Sequence, residues 1–239
     1  MSVPRQSQNV TENRLLAALP HHIYESLLPH LTPVQLVPGQ VLYEPFSPIS
    51  YCYFLNNTLI SCMSVTEQGA SVAVGFIGKE GMIGAAPLID VSLLPYRVIV
   101  QIAGSAMRIP SDILKDWFAT HNTTLRRAIL HFVYALFWQI VQTAVCNRFH
   151  LTEQRLARWL LFAQDRLDMD TLPITQEALA QMLGTDRASI TRTARKLREA
   201  GLLDYGRGQV TIRDQERLAL ASCECYRIVK SEYDAMLRP

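Results

Sequence analysis

Apolar and polar positions divide this chain into three textures. Between residues 34 and 110 they form short runs rich in β-branched and aromatic residues, at 41–43, 51–55, 59–65, 71–77, 97–102 and 105–109. Turn-forming clusters separate the runs, at Pro38-Gly39, 45–48, Asn56-Asn57, Glu67-Gln68-Gly69, 78–81 and Ala103-Gly104. Short strands at this spacing predict an antiparallel sandwich or barrel of the jelly-roll kind. Before it, 14–19 and 23–31 read as short helices parted by Pro20, and the residues ahead of them as a frayed polar segment.

The second texture is helical. Ser111-Asp112 opens a short helix to about Phe118, and 123–149 runs on without Gly or Pro. Leu125, Ile129, Phe132, Leu136, Gln139 or Ile140, Thr143 and Phe149 form a stripe, with further apolar residues around much of the circumference. Such a helix either lies deep in a core or pairs with a copy of itself. We read Leu125, Ile129, Phe132, Leu136, Ile140 and Thr143 as a dimer seam.

The third texture begins with a helix through Leu156, Trp159, Leu160 and Leu161, on which Arg155 and Arg158 read as a solvated face, phosphate contact being the alternative. After a polar loop comes ITQEALAQMLGTDRASITRTARKLREAGLLDYGRGQVTI, residues 174–212. Thr175 caps a first helix whose apolar side is Ala178, Leu179, Met182 and Leu183. Gly184-Thr185-Asp186 is a tight turn, and a second helix follows over about 186–199. Ile190, Ala194 and Leu197 fall at i, i+4 and i+7 and face inward, leaving Arg187, Arg192, Arg195, Lys196 and Arg198 outward. A basic helix face is ordinarily just solvated. Here it follows a helix-turn-helix connection and precedes a hairpin, 205–210, with Arg207 at its tip, so a winged helix-turn-helix on duplex DNA is the reading. The tail over 214–237 is predicted helical.

Composition narrows the classes. Of 239 residues, 49% are hydrophobic and 18% charged, which fits a globular chain with a substantial core. A net charge of only +2 means that nucleic-acid affinity must come from a local patch. Five scattered cysteines, Cys52, Cys62, Cys146, Cys223 and Cys225, make a poor disulfide framework and fit a reducing cytoplasm. The first fourteen residues contain no apolar run of the secretory kind, and the apolar segments read as too interrupted for a membrane span. No nucleophile–base set, metal quartet or Walker loop is visible, so the chain does not read as an enzyme.

The order of small helices, jelly-roll β domain, long helix and winged helix-turn-helix, with the motif ITQEALAQMLGTDRASITRTARKL, resembles the Crp/Fnr family of bacterial transcription regulators. The resemblance covers about residues 21–213 and is strongest in the C-terminal third. It implies an α+β chain: a flexible segment 1–20, a cyclic-nucleotide-binding-like sensor domain 21–120, a dimerisation helix 121–149, a DNA-binding domain 150–217 and a C-terminal helix 218–239. It implies duplex DNA, a second copy and RNA polymerase as partners. By position, Arg187 matches the family's guanine-reading arginine and Arg192 a second base- or phosphate-contacting one, while Thr175, Gln176 and Ser189 match phosphate contacts. Arg195 and Arg207 complete the candidate DNA surface. Thr175 serves equally well as a simple cap.

Departures are as informative. Ala188 stands where a cytosine-reading glutamate is frequent and cannot accept a hydrogen bond. In the sensor, Gly84 is followed by Ala85 where a ribose-binding carboxylate is needed. Arg97 is followed by no hydroxyl and reads as a solvated strand residue, and Ile140 and Val141 replace hydroxyls facing the purine. No cofactor is expected, and cAMP is not expected to bind. No cysteine precedes Cys52, against an amino-terminal iron–sulfur cluster. His21, His22, His131 and His150 read as ordinary histidines rather than haem ligands, Cys146 as a buried structural cysteine rather than a redox sensor, and Cys223-Glu224-Cys225 as short of two ligands for zinc. Phe46 and Asn57 stand where relatives have glycine; asparagine tolerates a left-handed backbone and phenylalanine does not, so the 44–48 loop is expected to differ in shape. Two other readings stay open: a module whose helix-turn-helix docks protein, and a redox or haem sensor of the same fold.

Overall fold

The computed structural model describes residues 12–121 and 123–236. The first eleven residues of the segment expected to be flexible lie outside that range. The remainder of that segment is anchored, which corrects the expectation. Asn13 caps α1 (Arg14–Ala17), its Oδ1 accepting from Leu16 N at 3.1 Å, and its amide donates to the carbonyls of Leu55 and Gly81 at 2.7 and 2.8 Å. Leu15 and Leu16 are fully buried against the β domain. Apolar residues two by two on one turn of helix are what secure this edge of the fold. Helix α2 (His21–Leu27) follows.

Eight strands form two antiparallel sheets. One has the order β1-β8-β3-β6, from β1 (Thr32–Leu36), β8 (Gly104–Pro110), β3 (Tyr51–Leu55) and β6 (Met82–Ile83). The other has the order β2-β7-β4-β5, from β2 (Val41–Tyr43), β7 (Arg97–Ile102), β4 (Leu59–Val65) and β5 (Ser71–Ile77). Alternation drives the sandwich: Val98, Val100 and Ile102 of β7 are buried while Arg97, Ile99 and Gln101 are half-exposed. Phe46 does adopt a left-handed backbone, φ 58°, and its amide donates to Leu94 O at 2.7 Å. The turn keeps its shape at a cost in strain, against the expectation for phenylalanine.

After α3 (Ser111–Asp116) and one π-helical turn comes α4 (Thr123–Phe149). By length and composition α4 could cross a bilayer, contrary to the expectation that no segment reaches that size. It lies instead against β5 and α9 (Cys225–Met236). Leu125, Ile129, Phe132 and Thr143 are buried in the chain's own core, and Leu136 and Ile140 lean on Gly75. The seam assigned to a second copy is therefore mostly the intramolecular one. An exposed apolar stripe runs through Leu130, Tyr134, Phe137, Val141 and Ala144, with Val133 and Val145 beside it.

The C-terminal domain holds α5 (Thr152–Leu167), β9 (Thr171–Leu172), α6 (Gln176–Leu183), α7 (Arg187–Glu199), β10 (Leu203–Gly206), β11 (Gln209–Ile212) and α8 (Gln215–Ala221). Arg155 and Arg158 do not form a solvated face. Arg158 is 2% exposed, and Arg155, half-buried, donates to Leu183 O. The tail is two helices, α8 and α9, broken at Ser222, whose backbone is extended.

A buried polar node joins the three textures. Arg166 of α5 donates to Glu80 Oε1 at 2.6 Å and to Gln139 Oε1 of α4 at 2.7 Å. Gln139 donates to Phe76 O of β5 at 3.0 Å, and Glu80 accepts from Gly78 N at 3.1 Å. Side chains of Arg166 and Glu80 are each 5% exposed. The approach requires glycine: a Cβ on Gly78 would lie 2.7 Å from Arg166 Cβ, and one on Gly81 2.1 Å from the Phe132 ring. Removing one member strands a buried charge, which costs far more than the pair contributes against an apolar substitute. We expect Glu80→Gln to lower the unfolding free energy by about 3–5 kcal/mol in urea titrations, and Glu80→Met combined with Arg166→Met to recover most of that loss.

Candidate nucleic-acid interface

Local chemistry builds the helix-turn-helix as the sequence predicts. Thr175 Oγ1 accepts from Ala178 N at 3.1 Å, starting α6, and Gly184 ends it at φ 57°, its amide returning to α6 carbonyls. Asp186 caps α7, accepting from Ser189 N at 2.7 Å and Ser189 Oγ at 2.6 Å. Ser189's hydroxyl, then its amide, hold the Asp186 carboxyl below the usual range. The cap is thus complete at neutral pH and is lost only as pH falls through that lowered value. Ile190, Ala194 and Leu197 are buried, and Arg187, Ala188, Arg192, Arg195, Lys196 and Arg198 are exposed.

The exposed cations are not equivalent. Arg195 pairs with Glu199 at 2.8 Å, Lys196 with Glu153 of α5, and Arg192 donates to Ser189 Oγ at 2.9 Å. Arg187, in the first turn of α7, makes no side-chain hydrogen bond or ion pair among the described residues. Its guanidinium acts on the Tyr205 hydroxyl, against the burial that raises that hydroxyl's pKa. Thr191 Oγ1 donates to Gln176 Oε1 at 2.7 Å, which fixes α6 to α7 and leaves the Gln176 amide donors for the predicted phosphate contact.

The wing is a tight hairpin in which Gly206 pairs with Gln209. Its two central residues both have positive φ, Arg207 at 50° and Gly208 at 78°. This is the twist a two-residue hairpin prefers, but an arginine at its first position is strained where Asn or Gly would be at ease. The cost puts a cation at the exposed tip. Gly208 sits against Thr175, whose methyl lies 3.8 Å from where a Cβ would stand, and Tyr205 donates to Ile174 O at 3.3 Å. Wing tip, α6 start and α7 start therefore share one edge of the domain.

The β domain shows a cavity of about 270 Å³ between the β sandwich and α4. Ile83, Leu94, Tyr96, Phe132 and Leu136 line it together with Gly84 and Ala85, and none of its lining residues is charged. Arg97 is not among them. It lies on the strand edge, paired with Glu44 at 2.8 Å, which withdraws it from the candidate ligand set. A cyclic nucleotide brings an anionic phosphate and a ribose hydroxyl, and a wall of this kind would desolvate both without replacing their hydrogen bonds. The residues present do not fit that ligand.

Sequence reasoning missed one constellation. Cys146, His150, Cys223 and Cys225 bring their ligand atoms within 4.8 Å of one another. The signal was visible only in part: Cys146 and His150 stand one helical turn apart, but nothing in the sequence says that the residues after α8 return to them.

Residues 154–221 match the Crp-like helix-turn-helix domain. No curated protein matches the chain by sequence. Among solved structures the chain is similar to FixK2 from Bradyrhizobium japonicum, at 15% identity and TM-score 0.70 over 81% of this chain and 98% of that one. It is similar to the c-di-GMP-responsive global regulator CLP of Xanthomonas campestris, at 17% and 0.64 over 81% and 99%. A CRP-family transcriptional regulator from Thermus thermophilus gives 15% and 0.66 over 80% and 99%. The chain thus carries a Crp-like helix-turn-helix domain on the fold of the Crp/Fnr transcription regulators.

Proposed function

We propose that the protein is a sequence-specific, DNA-binding transcription regulator of the cytoplasm that acts as a homodimer. The observation that carries this reading is Arg187 at the exposed start of α7, without a hydrogen-bond or ion-pair partner among the described residues and close to the wing at Tyr205. In a helix-turn-helix the first turns of the second helix meet base edges, and a free guanidinium there can donate two bonds to guanine O6 and N7. Arg192, five residues further along α7 and hydrogen-bonded to Ser189, offers a second contact, and Thr175, Gln176 and Arg207 serve the backbone. Arg195 is a weaker contributor, since it must leave Glu199 to reach a phosphate. The chain has no enzymatic role in this reading, and RNA polymerase is the further partner.

The exposed stripe of α4 supports a second copy as its occupant. Leu130, Tyr134, Phe137, Val141 and Ala144 follow steps of four, three, four and three, the seam of a two-stranded coiled coil. Two recognition helices related by a two-fold axis would meet a pseudo-palindrome with half-sites about 34 Å apart. Tyr134→Glu with Phe137→Glu is expected to halve the mass seen by sedimentation while the far-ultraviolet spectrum is retained. Unchanged mass would remove the dimer seam.

Arg187→Ala is expected to weaken binding to the selected operator by roughly 1–3 kcal/mol and to relax preference at one base pair. Arg207→Ala is expected to weaken all duplexes alike and to flatten the salt dependence of anisotropy titrations by about one phosphate. A changed base preference in that variant would refute the wing assignment. Because Ala188 offers no acceptor to cytosine, binding-site selection should return an operator other than the half-site read with glutamate there. Retention of full low-salt affinity for random duplex by the wild type separates this reading from a protein-docking module.

The apolar sensor cavity supports a regulator that does not take cAMP. Calorimetric titration with cAMP is expected to give no heat of binding at micromolar concentrations; saturable binding would overturn this part.

A further inference from the structure

We propose that Cys146, His150, Cys223 and Cys225 bind a single divalent transition-metal ion of the zinc type, in a closed tetrahedral site that clamps the C-terminal helix to the end of α4. The donor set is three sulfurs and one imidazole nitrogen, the composition of a structural zinc site. The spacing also suits one ion. Zinc–sulfur bonds of about 2.3 Å set tetrahedral S–S edges near 3.8 Å. Here Cys146 Sγ and Cys223 Sγ stand 3.5 Å apart, and Cys225 Sγ and His150 Nδ1 3.4 Å. With all four ligand atoms inside 4.8 Å, the ring is too small to bracket a cluster of several irons.

Surrounding groups complete the arrangement. The other ring nitrogen of His150, Nε2, faces Glu224 Oε1 at 3.3 Å, the carboxylate contact that orients a metal-bound histidine and fixes its tautomer. Gln142, one turn before Cys146, donates its amide to Cys225 Sγ at 3.2 Å, as a thiolate accepts. All three cysteines are buried.

Charge supplies an independent argument. Arg158 is 2% exposed and pairs with no carboxylate among the described residues; its one hydrogen bond is a 3.5 Å contact with Thr143, and its Nε has no partner. A buried guanidinium in that condition is costly. Its field reaches all three sulfurs, and Arg155 acts on two of them. Three thiolates and a neutral imidazole around a divalent ion carry one net negative charge, which is the counter-charge Arg158 lacks. The break between α8 and α9 is explained by the same site, since the extended Ser222 and the turn after it aim Cys223 and Cys225 at α4.

The site lies at the joint where α4 ends and α5 begins, so loading would stiffen the connection between long helix and DNA-binding domain. That consequence, though not the site, rests on the function proposed above.

The full chain, purified under reductant and without added chelator, is expected to hold about one zinc per chain by elemental analysis. Chelator treatment followed by cobalt(II) should give the intense visible bands of a tetrahedral thiolate complex, and competition with zinc should abolish them. Cys223→Ser and His150→Ala are expected to lose most of the metal and the cobalt spectrum, and Cys52→Ser, in the β domain, to retain both. If Cys223→Ser does not fold, His150→Ala and the cobalt spectrum of the wild type still decide. Two results would overturn the proposal: wild-type protein that takes up neither zinc nor cobalt while its thiols react as free, or a Cys146–Cys223 disulfide found by mass under the same reductant. Iron with acid-labile sulfide would also overturn it. Loss of DNA affinity with the metal retained would instead speak against the proposed function alone.

Discussion

A buried cation that must be matched within its own chain is the constraint on which the rest of this fold depends. Arg166 projects from the helix-turn-helix domain into the β domain, where Glu80 neutralises it and Gln139 of the long helix takes a second hydrogen bond. None of these groups reaches water to any useful extent. Separating α5 from the β domain would therefore expose no alternative partner for Arg166 short of full solvation. The node converts three segments with separate sequence textures into one interlocked body, and Gly78 and Gly81 are the residues whose missing side chains let it close.

Helix α4 shows why the same pattern can be legible and still mislead. Its bounds followed from the absence of Gly and Pro, but it carries two apolar seams with the same alternation of four and three. The first runs through Leu125, Ile129, Phe132, Leu136, Gln139, Thr143 and Cys146 and packs inward. The second, through Leu130, Tyr134, Phe137, Val141 and Ala144, is five residues out of step, about 140° around a helix of 3.6 residues per turn. Periodicity cannot rank two seams of equal quality. What distinguishes them is polar: Gln139 and Thr143 have buried partners waiting in β5 and α5, and an isolated amide or hydroxyl in a coiled-coil seam would not.

The helix-turn-helix was legible nearly to the residue because its information is local. Thr175, Gly184 and Asp186 each satisfy backbone groups within three or four positions of themselves, so the residue types and their spacing carry the structure. The anchoring of Asn13, the burial of Arg158 and the cysteine–histidine cluster were not legible for the opposite reason. Each depends on distant residues meeting across the fold, 42 positions apart for Asn13 and Leu55 and 77 for Cys146 and Cys223. No pattern inside a window of one helix reports such a meeting. Phe46 was misread on an intermediate ground: the steric rule was applied rightly, but the turn is held by its neighbours, and the hydrogen bond from its backbone N–H to Leu94 O outweighs the preference of one exposed side chain.

Helix α5 is the element on which these arguments converge. Its C-terminal end is locked by Arg166, and near its N-terminal end Arg155 reaches the last residue of α6 while Arg158 meets Thr143 of α4. Two fixed points on one helix determine an axis, and α7 packs directly on that axis. The direction of α7 relative to the exposed seam of α4 is thus set by the Arg166–Glu80 pair at one end of α5 and by the Arg155 hydrogen bond to Leu183 O near the other. The apolar cavity borders the first, through Phe132 and its contact with Gly81 beside Glu80; the cysteine–histidine cluster adjoins the second. The cavity and the helix-turn-helix are therefore joined physically through the two ends of α5.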